Sequence, residues 1–331
     1  MIRSVVARIS KIRILRSCIG RPFLSLNEWL WQHLPATLVA RESVRSYGRI
    51  LCALVRLRSD RKFNFGTVFF RNRPQLSLIR RIASRKPHHG AFRIAVLACS
   101  TGAEVYSLVC TIRQARPDLN LIVHAVDIVK DVLAFAERGV YSLKDWEFVQ
   151  VPIFERLTAE EMQVVFDRKG DHAIVKSWLR NGIVWQAGDA SDPGIVDQLG
   201  PQDLVIGNNF LCHMQPAQAE KCLRNMARLV DHGGHLVVSG VDLGIRTRVA
   251  HDLGWIPVLD AIEEIHTGDP SLIRDWPWRY WGLEPLNKSR PDWRMRYASV
   301  FQISRKSPYS VAPLGESSLT GSPLPESCAF F

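Results

Sequence analysis

The sequence predicts an α/β fold, an open and mostly parallel sheet with helices on both faces. From Phe92 onward, apolar strand-like runs alternate with helical periodicities across short turns. The stretch FRIAVLACSTGAEVYS (92–107) runs from a β-branched strand through a small, glycine-containing turn straight into an amphipathic helix. A turn of that composition lets backbone amides at a helix N-terminus approach a ligand closely. The next apolar strand, 121–126, ends in Asp127, at the strand tip where ribose hydroxyls fall in nucleotide-type α/β sites.

Taken in order, residues 1–90 show no strand pattern and read as a basic helical region broken at Pro22, Pro35 and Pro74. Lys86-Pro87-His88-His89-Gly90 is a turn-prone linker. The α/β domain, 91–305, is expected to place strands at 93–98, 121–126, 183–186, 203–207 and 235–240, with helices at 103–115, 129–138 and 216–230. Residues 140–182 interrupt this alternation as an insertion, with a helix at 158–166 and a strand at 172–176. Asp231-His232-Gly233-Gly234 reads as a sharp stop before strand 235–240. A last strand is expected at 297–303, with a partner near 255–259. Between them a 260–296 elaboration carries Trp276, Trp278, Trp281 and Trp293 and reads as a cap over the site. The Ser/Pro-rich tail, 306–331, has little to bury and is expected to be disordered.

Charge is divided unevenly. Residues 1–90 hold 19 Lys/Arg against three acids (Glu28, Glu42, Asp60), whereas the remainder carries 24 Lys/Arg against 29 acids. The basic region suits an anionic surface, whether protein, nucleic acid or membrane, and equally a solvated helical face. Residues 1–20, with five basic side chains, no acid and scattered apolar positions, read as a membrane-surface helix, a transit-like start, or the first helix of the N-terminal region. No apolar run approaches the roughly 18 residues of a membrane span, so a cytoplasmic, membrane-peripheral protein is expected. Seven cysteines without CxxC or metal-ligand spacing read as reduced thiols, and no metal site is expected.

The turn Cys99-Ser100-Thr101-Gly102 lacks the lysine of a Walker loop and the repeated glycines of a GxGxxG fingerprint. It still admits an uncharged nucleoside with an amino-acid tail, whose ammonium Glu104 is placed to bind; alternatively Glu104 only favours the helix dipole. Asp127 either accepts two ribose hydroxyls or caps the following helix. In Gly188-Asp189-Ala190 an acid can accept an adenine amine between small neighbours, or simply shape the loop. Asn208 and Asn209, at the carboxyl end of strand 203–207, and His213 just beyond are placed to line a pocket, because ligands of open α/β sheets bind at carboxyl strand ends.

Together these pieces resemble the CheR family of chemotaxis-receptor glutamate methyltransferases, within class I S-adenosylmethionine-dependent methyltransferases. Cys99–Ser107 reads CSTGAEVYS against the family's CSTGEEPYS, Gly139-Val140-Tyr141 matches its GxY, and Thr67-Val68-Phe69-Phe70-Arg71 matches its T-x-F-F-R. The resemblance implies a Rossmann-like, seven-stranded domain behind a small N-terminal helical domain, with S-adenosylmethionine as methyl donor. It implies a cofactor set of Thr67, Arg71, Ser100, Gly102, Glu104, Asp127, Asp189 and Asn208. Arg71 would reach the donor's carboxylate, and Asp189 takes the place of a usual Asn. His213, Asn209 and Asn208 would lie at the reacting end.

The family's strand-four signature C-R-N-V-x-I-Y-F reads here GNNFLCHM (207–214), so its Arg becomes Asn208 and its Tyr becomes His213. The resemblance implies a protein carboxylate as acceptor; these replacements shift weight toward the alternatives, another protein or a small molecule, with a non-catalytic sensor role as the third. Nucleic acid is disfavoured, because Asn208-Asn209-Phe210 lacks the Pro-Pro of amino-methylating DNA enzymes.

Overall fold

The structure, a computed structural model, describes residues 20–39, 41–58, 65–144, 148, 152–269, 276–278 and 282–304. The basic segment 1–19, the tail 306–331 and Trp281 lie outside the described residues. Helices α1 (Gly20–Gln32), α2 (Ala36–Val39), α3 (Glu42–Arg58) and α4 (Arg73–Ser84) come first. The sheet region follows with β1 (Ala91–Leu97), α5 (Ala103–Ala115), β2 (Asn120–Asp127) and α6 (Lys130–Arg138). The insertion holds β3 (Val140–Ser142), α7 (Ala159–Val165), β4 (Phe166–Lys169), β5 (His172–Val175) and α8 (Ser177–Arg180). Then come β6 (Ile183–Ala187), α9 (Ile195–Leu199), β7 (Gln202–Gly207), α10 (Pro216–Leu229), β8 (Val230–Val238) and α11 (Leu243–Asp252). The last elements are β9 (Ile256–Pro257), α12 (Ile262–Thr267), α13 (Trp293–Tyr297) and β10 (Val300–Gln302).

Seven strands form one sheet in the order β6-β2-β1-β7-β8-β10-β9. β1 pairs in parallel with β2 and β7, β2 with β6, and β7 with β8; β10 runs antiparallel to both of its neighbours. The chain reverses its direction of growth between β1 and β7, and the carboxyl ends of those strands carry Cys99–Gly102 and Asn208–Asn209. That crevice is where open α/β sheets bind ligands.

β1 is apolar on both faces because both faces are covered. Ile94 and Val96 point into a layer with α4 and α5, whereas Ala95 and Leu97 point into one with α10 and α11. The first layer includes Leu78, Ile79, Ile82, Val105, Leu108 and Val109; the second includes Leu223, Met226, Val249 and Phe301.

The structure departs from the sequence expectations where short or competing signals meet. The insertion contains a three-stranded antiparallel sheet, β3-β5-β4, of which only the strand at 172–176 was expected. Strands of three or four residues give no readable period. Asp231-His232-Gly233-Gly234 is no stop: β8 begins at Val230 and absorbs it as a register shift against β7, with Gly233 at φ 75°. Tyr297, expected in the last strand, closes α13, and β10 is only Val300–Gln302. Here the tertiary contact of Tyr297 with Glu284 outweighs its β propensity.

The N-terminal helices pack on the Trp-rich elaboration. The edge of Trp31 meets Trp276 at 5.6 Å, Arg45 donates to the Leu286 carbonyl at 3.1 Å, and Asn287 donates to Glu42 at 3.1 Å. Gly48 is needed at this contact, since a Cβ there would stand 2.4 Å from the Trp276 ring. Among the described residues no helix is long and apolar enough to cross a membrane.

Candidate cofactor site

A cavity of about 480 Å³ opens at the carboxyl ends of β1, β2 and β7. Its walls include Thr67, Arg71, Ser100, Glu104, Asp127, Asp189, Asn208, Asn209 and His213, drawn from five separate stretches of sequence. Gly102, expected among the cofactor contacts, does not line it. It sits at φ 86° as the residue before α5, where a Cβ would stand 3.0 Å from Ala136 and Trp185. Its work is to let the helix start close to α6 and β6.

The turn after β1 is built on Asp127. Ser100 N donates to one carboxylate oxygen at 2.9 Å and Val129 N donates to the other at 3.0 Å. Asp127 therefore does not cap α6, whose N-cap residue Val129 has no side-chain cap. Each oxygen keeps a lone pair after its backbone bond. The motif tyrosines brace the turn from behind: Tyr141 donates to the Thr101 carbonyl and Tyr106 to the Ala136 carbonyl, each at 2.7 Å. From the N-terminal arm, the Phe70 amide donates to Ser107 Oγ at 2.9 Å, and Ser100 Oγ donates to the Phe65 carbonyl at 3.0 Å.

Glu104 is the hub of the next stretch of wall. Asn208 Nδ2 donates to it at 2.6 Å and to Gln75 Oε1 at 2.8 Å, while Ser239 Oγ donates to Asn208 Oδ1 at 2.8 Å. Burial pushes the Glu104 carboxyl up from its ordinary range, against the opposing pull of the Asn208 bond and the nearby Arg71 charge. Arg71 donates to the Gly66 carbonyl at 2.9 Å, and its Nε lies 3.4 Å from Asp269. Burial lowers the Arg71 pKa, and the charges of Asp269 and Glu104 counter that shift. Asp269 also takes Arg156 at 2.6 Å, so one carboxylate of the elaboration joins the arm to the insertion.

At the other end, Asp189 is exposed and accepts from Ser191 N at 2.7 Å. Asn209 adopts φ 59°, and Gly240 lies so near that a Cβ would stand 2.4 Å from the Asn209 Cα. His213 closes a single 3-10 turn, Leu211–His213. Four non-glycine residues of the wall (Phe70, Ala98, Ser100 and Asn209) hold positive φ, between 51° and 59°. Such strain gathers at ligand sites.

Asn72, Gln75, Ser239, His266 and Asp269 also line the cavity and were not expected as site residues. Gln75 lies one turn beyond Arg71 and Ser239 at the end of β8, positions that carried a readable signal. His266 and Asp269 arrive through α12, which no sequence motif marks.

A family model described as CheR methyltransferase, SAM binding domain, matches residues 66–243, a span that holds every expected site residue. The chain belongs to the CheR methyltransferase family. The donor of this family is S-adenosylmethionine, and the donor set here fits it: a strand-tip carboxylate for a diol, with a half-buried carboxylate and guanidinium for a zwitterionic tail.

The chain is 25% identical over 184 residues to the probable biofilm formation methyltransferase WspC of Pseudomonas aeruginosa, covering 54% of this chain and 42% of that protein. It is 26% identical over 162 residues to chemotaxis protein methyltransferase 1 of Vibrio cholerae, covering 47% of this chain and 54% of that one. The chain thus spans about half the length of the curated relatives it matches. Among solved structures, magnesium protoporphyrin IX methyltransferase from Synechocystis matches at 17% identity and a TM-score of 0.32, covering 68% of this chain and 88% of that one.

Proposed function

We propose that this protein transfers the methyl group of S-adenosylmethionine to a nucleophile admitted beside His213, Asn209 and Asn208. The observation that carries the reading is the convergence of Arg71, Glu104 and Asp127 on one cavity from the arm, α5 and β2. Asp127 takes the ribose hydroxyls with the lone pairs left free by the Ser100 and Val129 amides. Glu104 takes the ammonium and Arg71 the carboxylate of the amino-acid tail, with Thr67 and Ser100 beside them. Asp189 and Ala190 flank the adenine.

The donor supplies an activated methyl on a sulfonium. The chain's residues supply alignment and exclusion of water, which together lower the barrier of an in-line displacement. A carboxylate acceptor needs no base at neutral pH, whereas an amine or hydroxyl loses a proton, which His213 is placed to take.

The resemblance to the CheR glutamate methyltransferases makes a protein carboxylate in a receptor or signalling protein the first acceptor to test. A second reading, an acceptor other than a carboxylate, is favoured by the strand-four replacements. Asn208 stands where the family has Arg, and it is spent on Glu104 and Gln75. The basic N-terminal helices suit contact with an anionic surface that presents the acceptor.

Calorimetric titration of S-adenosylmethionine into the full chain and into Asp127→Asn tests the donor site. The variant is expected to bind at least tenfold more weakly, and equal affinity refutes the role of Asp127. Transfer of tritiated methyl followed by mild base then sorts the acceptor: volatile methanol marks a carboxyl ester and a stable label marks nitrogen. Donor binding with no label in any acceptor marks a sensor.

A further inference from the structure

Among the described residues twelve large apolar side chains are exposed, and six of them belong to two N-terminal helices. They are Phe23, Leu26, Trp29 and Leu30 of α1 and Tyr47 and Ile50 of α3, between 36% and 58% exposed. None of the six lines the cofactor cavity. At 3.6 residues per turn the four α1 side chains share about 120° of the helix circumference, and Glu28 lies about 100° outside that arc. The packing face of α1 is a different one. It carries Asn27, which is 8% exposed, and Trp31, whose edge meets Trp276.

The arc is held in place. Asn27 Nδ2 donates to the Phe23 carbonyl at 2.8 Å, and Tyr47 donates to Asn27 Oδ1 at 2.5 Å, which ties α1 to α3. The Trp29 ring lies 4.4 Å from that of His33. Contiguous apolar surface of this kind marks an interaction site, and the charge around it narrows the partner. Residues 1–90 carry 19 Lys/Arg against three acids. Of those acids Glu28 lies off the arc, and Glu42 is paired with Arg49 at 2.5 Å. The sequence leading into α1, residues 1–19, adds five basic side chains and no acid, and Arg56, Arg58, Arg61 and Lys62 cluster around the end of α3 in sequence.

Two copies meeting through the arc would bring two such basic regions together, which like charge opposes. The strongest contacts of a protein partner sit in enclosed pockets from which water is excluded. Here the apolar side chains project from one helix, with a tryptophan among them and basic charge on the flanking segments. That pattern suits a helix lying in a bilayer interface, with its apolar face at the acyl boundary and cations on anionic headgroups.

We propose that the exposed arc of α1, continued by Tyr47 and Ile50 of α3, docks this protein on an anionic lipid bilayer. This gives the anionic surface of the functional reading a definite chemistry, and it stands independently of the donor site. Trp31 on Trp276 and Arg45 on the Leu286 carbonyl couple these helices to the segment that supplies Leu283 to the cavity wall. Docking therefore also sets the attitude of the site to the membrane.

The test sediments the full chain with vesicles of phosphatidylcholine alone and with vesicles containing about one-third phosphatidylglycerol. The anionic vesicles are expected to bind at least tenfold more tightly, with the difference narrowing as salt is raised. Leu26→Gln with Leu30→Gln, which removes apolar surface and no charge, is expected to weaken binding at least tenfold. The same change at Leu253 and Ile256, exposed side chains beside β9, should leave binding unaltered. Trp29→Phe should keep binding but lose most of the quenching of tryptophan emission by brominated acyl chains. All variants should hold S-adenosylhomocysteine within twofold of wild type. Should the Leu26 and Leu30 double variant fail to fold, the lipid comparison and the Trp29→Phe quenching decide. No binding to anionic vesicles, equal binding to both compositions, or binding indifferent to the Leu26 and Leu30 change overturns the proposal. So does a dimer in equilibrium sedimentation that the same change dissolves, or tighter binding of polyglutamate than of anionic vesicles. If S-adenosylhomocysteine fails to bind the wild type, the donor-site reading falls; if it binds and the vesicles fail, only this inference falls.

Discussion

Asp269→Asn isolates one charge at the point where three parts of the chain meet. The side chain is 4% exposed and faces Arg156 at 2.6 Å and Arg71 at 3.4 Å, each arginine side chain being about one-fifth exposed. Removing one partner of a fully buried ion pair costs about 3–5 kcal/mol, because the other charge stays buried without compensation. The amide keeps an oxygen for Arg156, and residual exposure lets water screen both guanidinium groups, which places the expected loss near the lower end, about 2–3 kcal/mol. That is a large share of the roughly 5–15 kcal/mol by which a folded chain is stable. Loss of the anchor also releases the Arg71 fork, so donor affinity should fall by about tenfold or more, since 1.4 kcal/mol is tenfold in Kd. Urea unfolding and calorimetric titration of the same preparation measure both effects. A variant within 0.5 kcal/mol of wild type that binds S-adenosylmethionine within twofold would refute the anchoring role.

Other perturbations separate the remaining contacts. The neutral Glu104 form favoured by burial cannot hold an ammonium, so donor affinity should rise with pH as this carboxyl ionises, then level off; Glu104→Gln should bind weakly with a flat pH profile in calorimetry. The His266 pKa is pulled from 6.5 to about 4 by burial, so the unfolded chain binds the extra proton first. Stability should therefore fall as pH drops from 6.5 toward 4, by about 3 kcal/mol at 1.36 kcal/mol per unit, and His266→Gln should remove that slope in thermal melts. Gly240→Ala places a Cβ against the Asn209 backbone at φ 62° and should cost at least about 2 kcal/mol in urea unfolding while weakening donor binding.

Much of the donor side was legible because it is local. Cys99–Ser107 and Asp127 lie at the ends of strands whose apolar runs are long enough to read, and the pairing of β1 with β2 brings them together. Thr67–Arg71 was legible as a motif, but its distance from the turn is closed only by bonds such as Phe70 N to Ser107 Oγ. Gly102 was assigned to the cofactor because a glycine after a strand commonly marks close ligand approach; here the close neighbours are Ala136 and Trp185. His266 and Asp269 were not legible. Their role depends on α12 packing against α4, fixed by Asn72 donating to the Ile265 carbonyl at 2.8 Å, a contact across nearly two hundred residues that no period or spacing encodes. The β3-β5-β4 sheet was missed because its strands are too short to show alternation.

The left-handed backbone of Phe70, Ala98, Ser100 and Asn209 places strain in the wall of the candidate donor cavity. Each such residue costs on the order of 1–3 kcal/mol, so the empty chain folds with less margin than its core alone would provide. A ligand that binds only the folded form returns about 2.7 kcal/mol at a hundredfold excess over Kd. Resistance to proteolysis should therefore rise with S-adenosylmethionine concentration, slightly below Kd and then logarithmically above it.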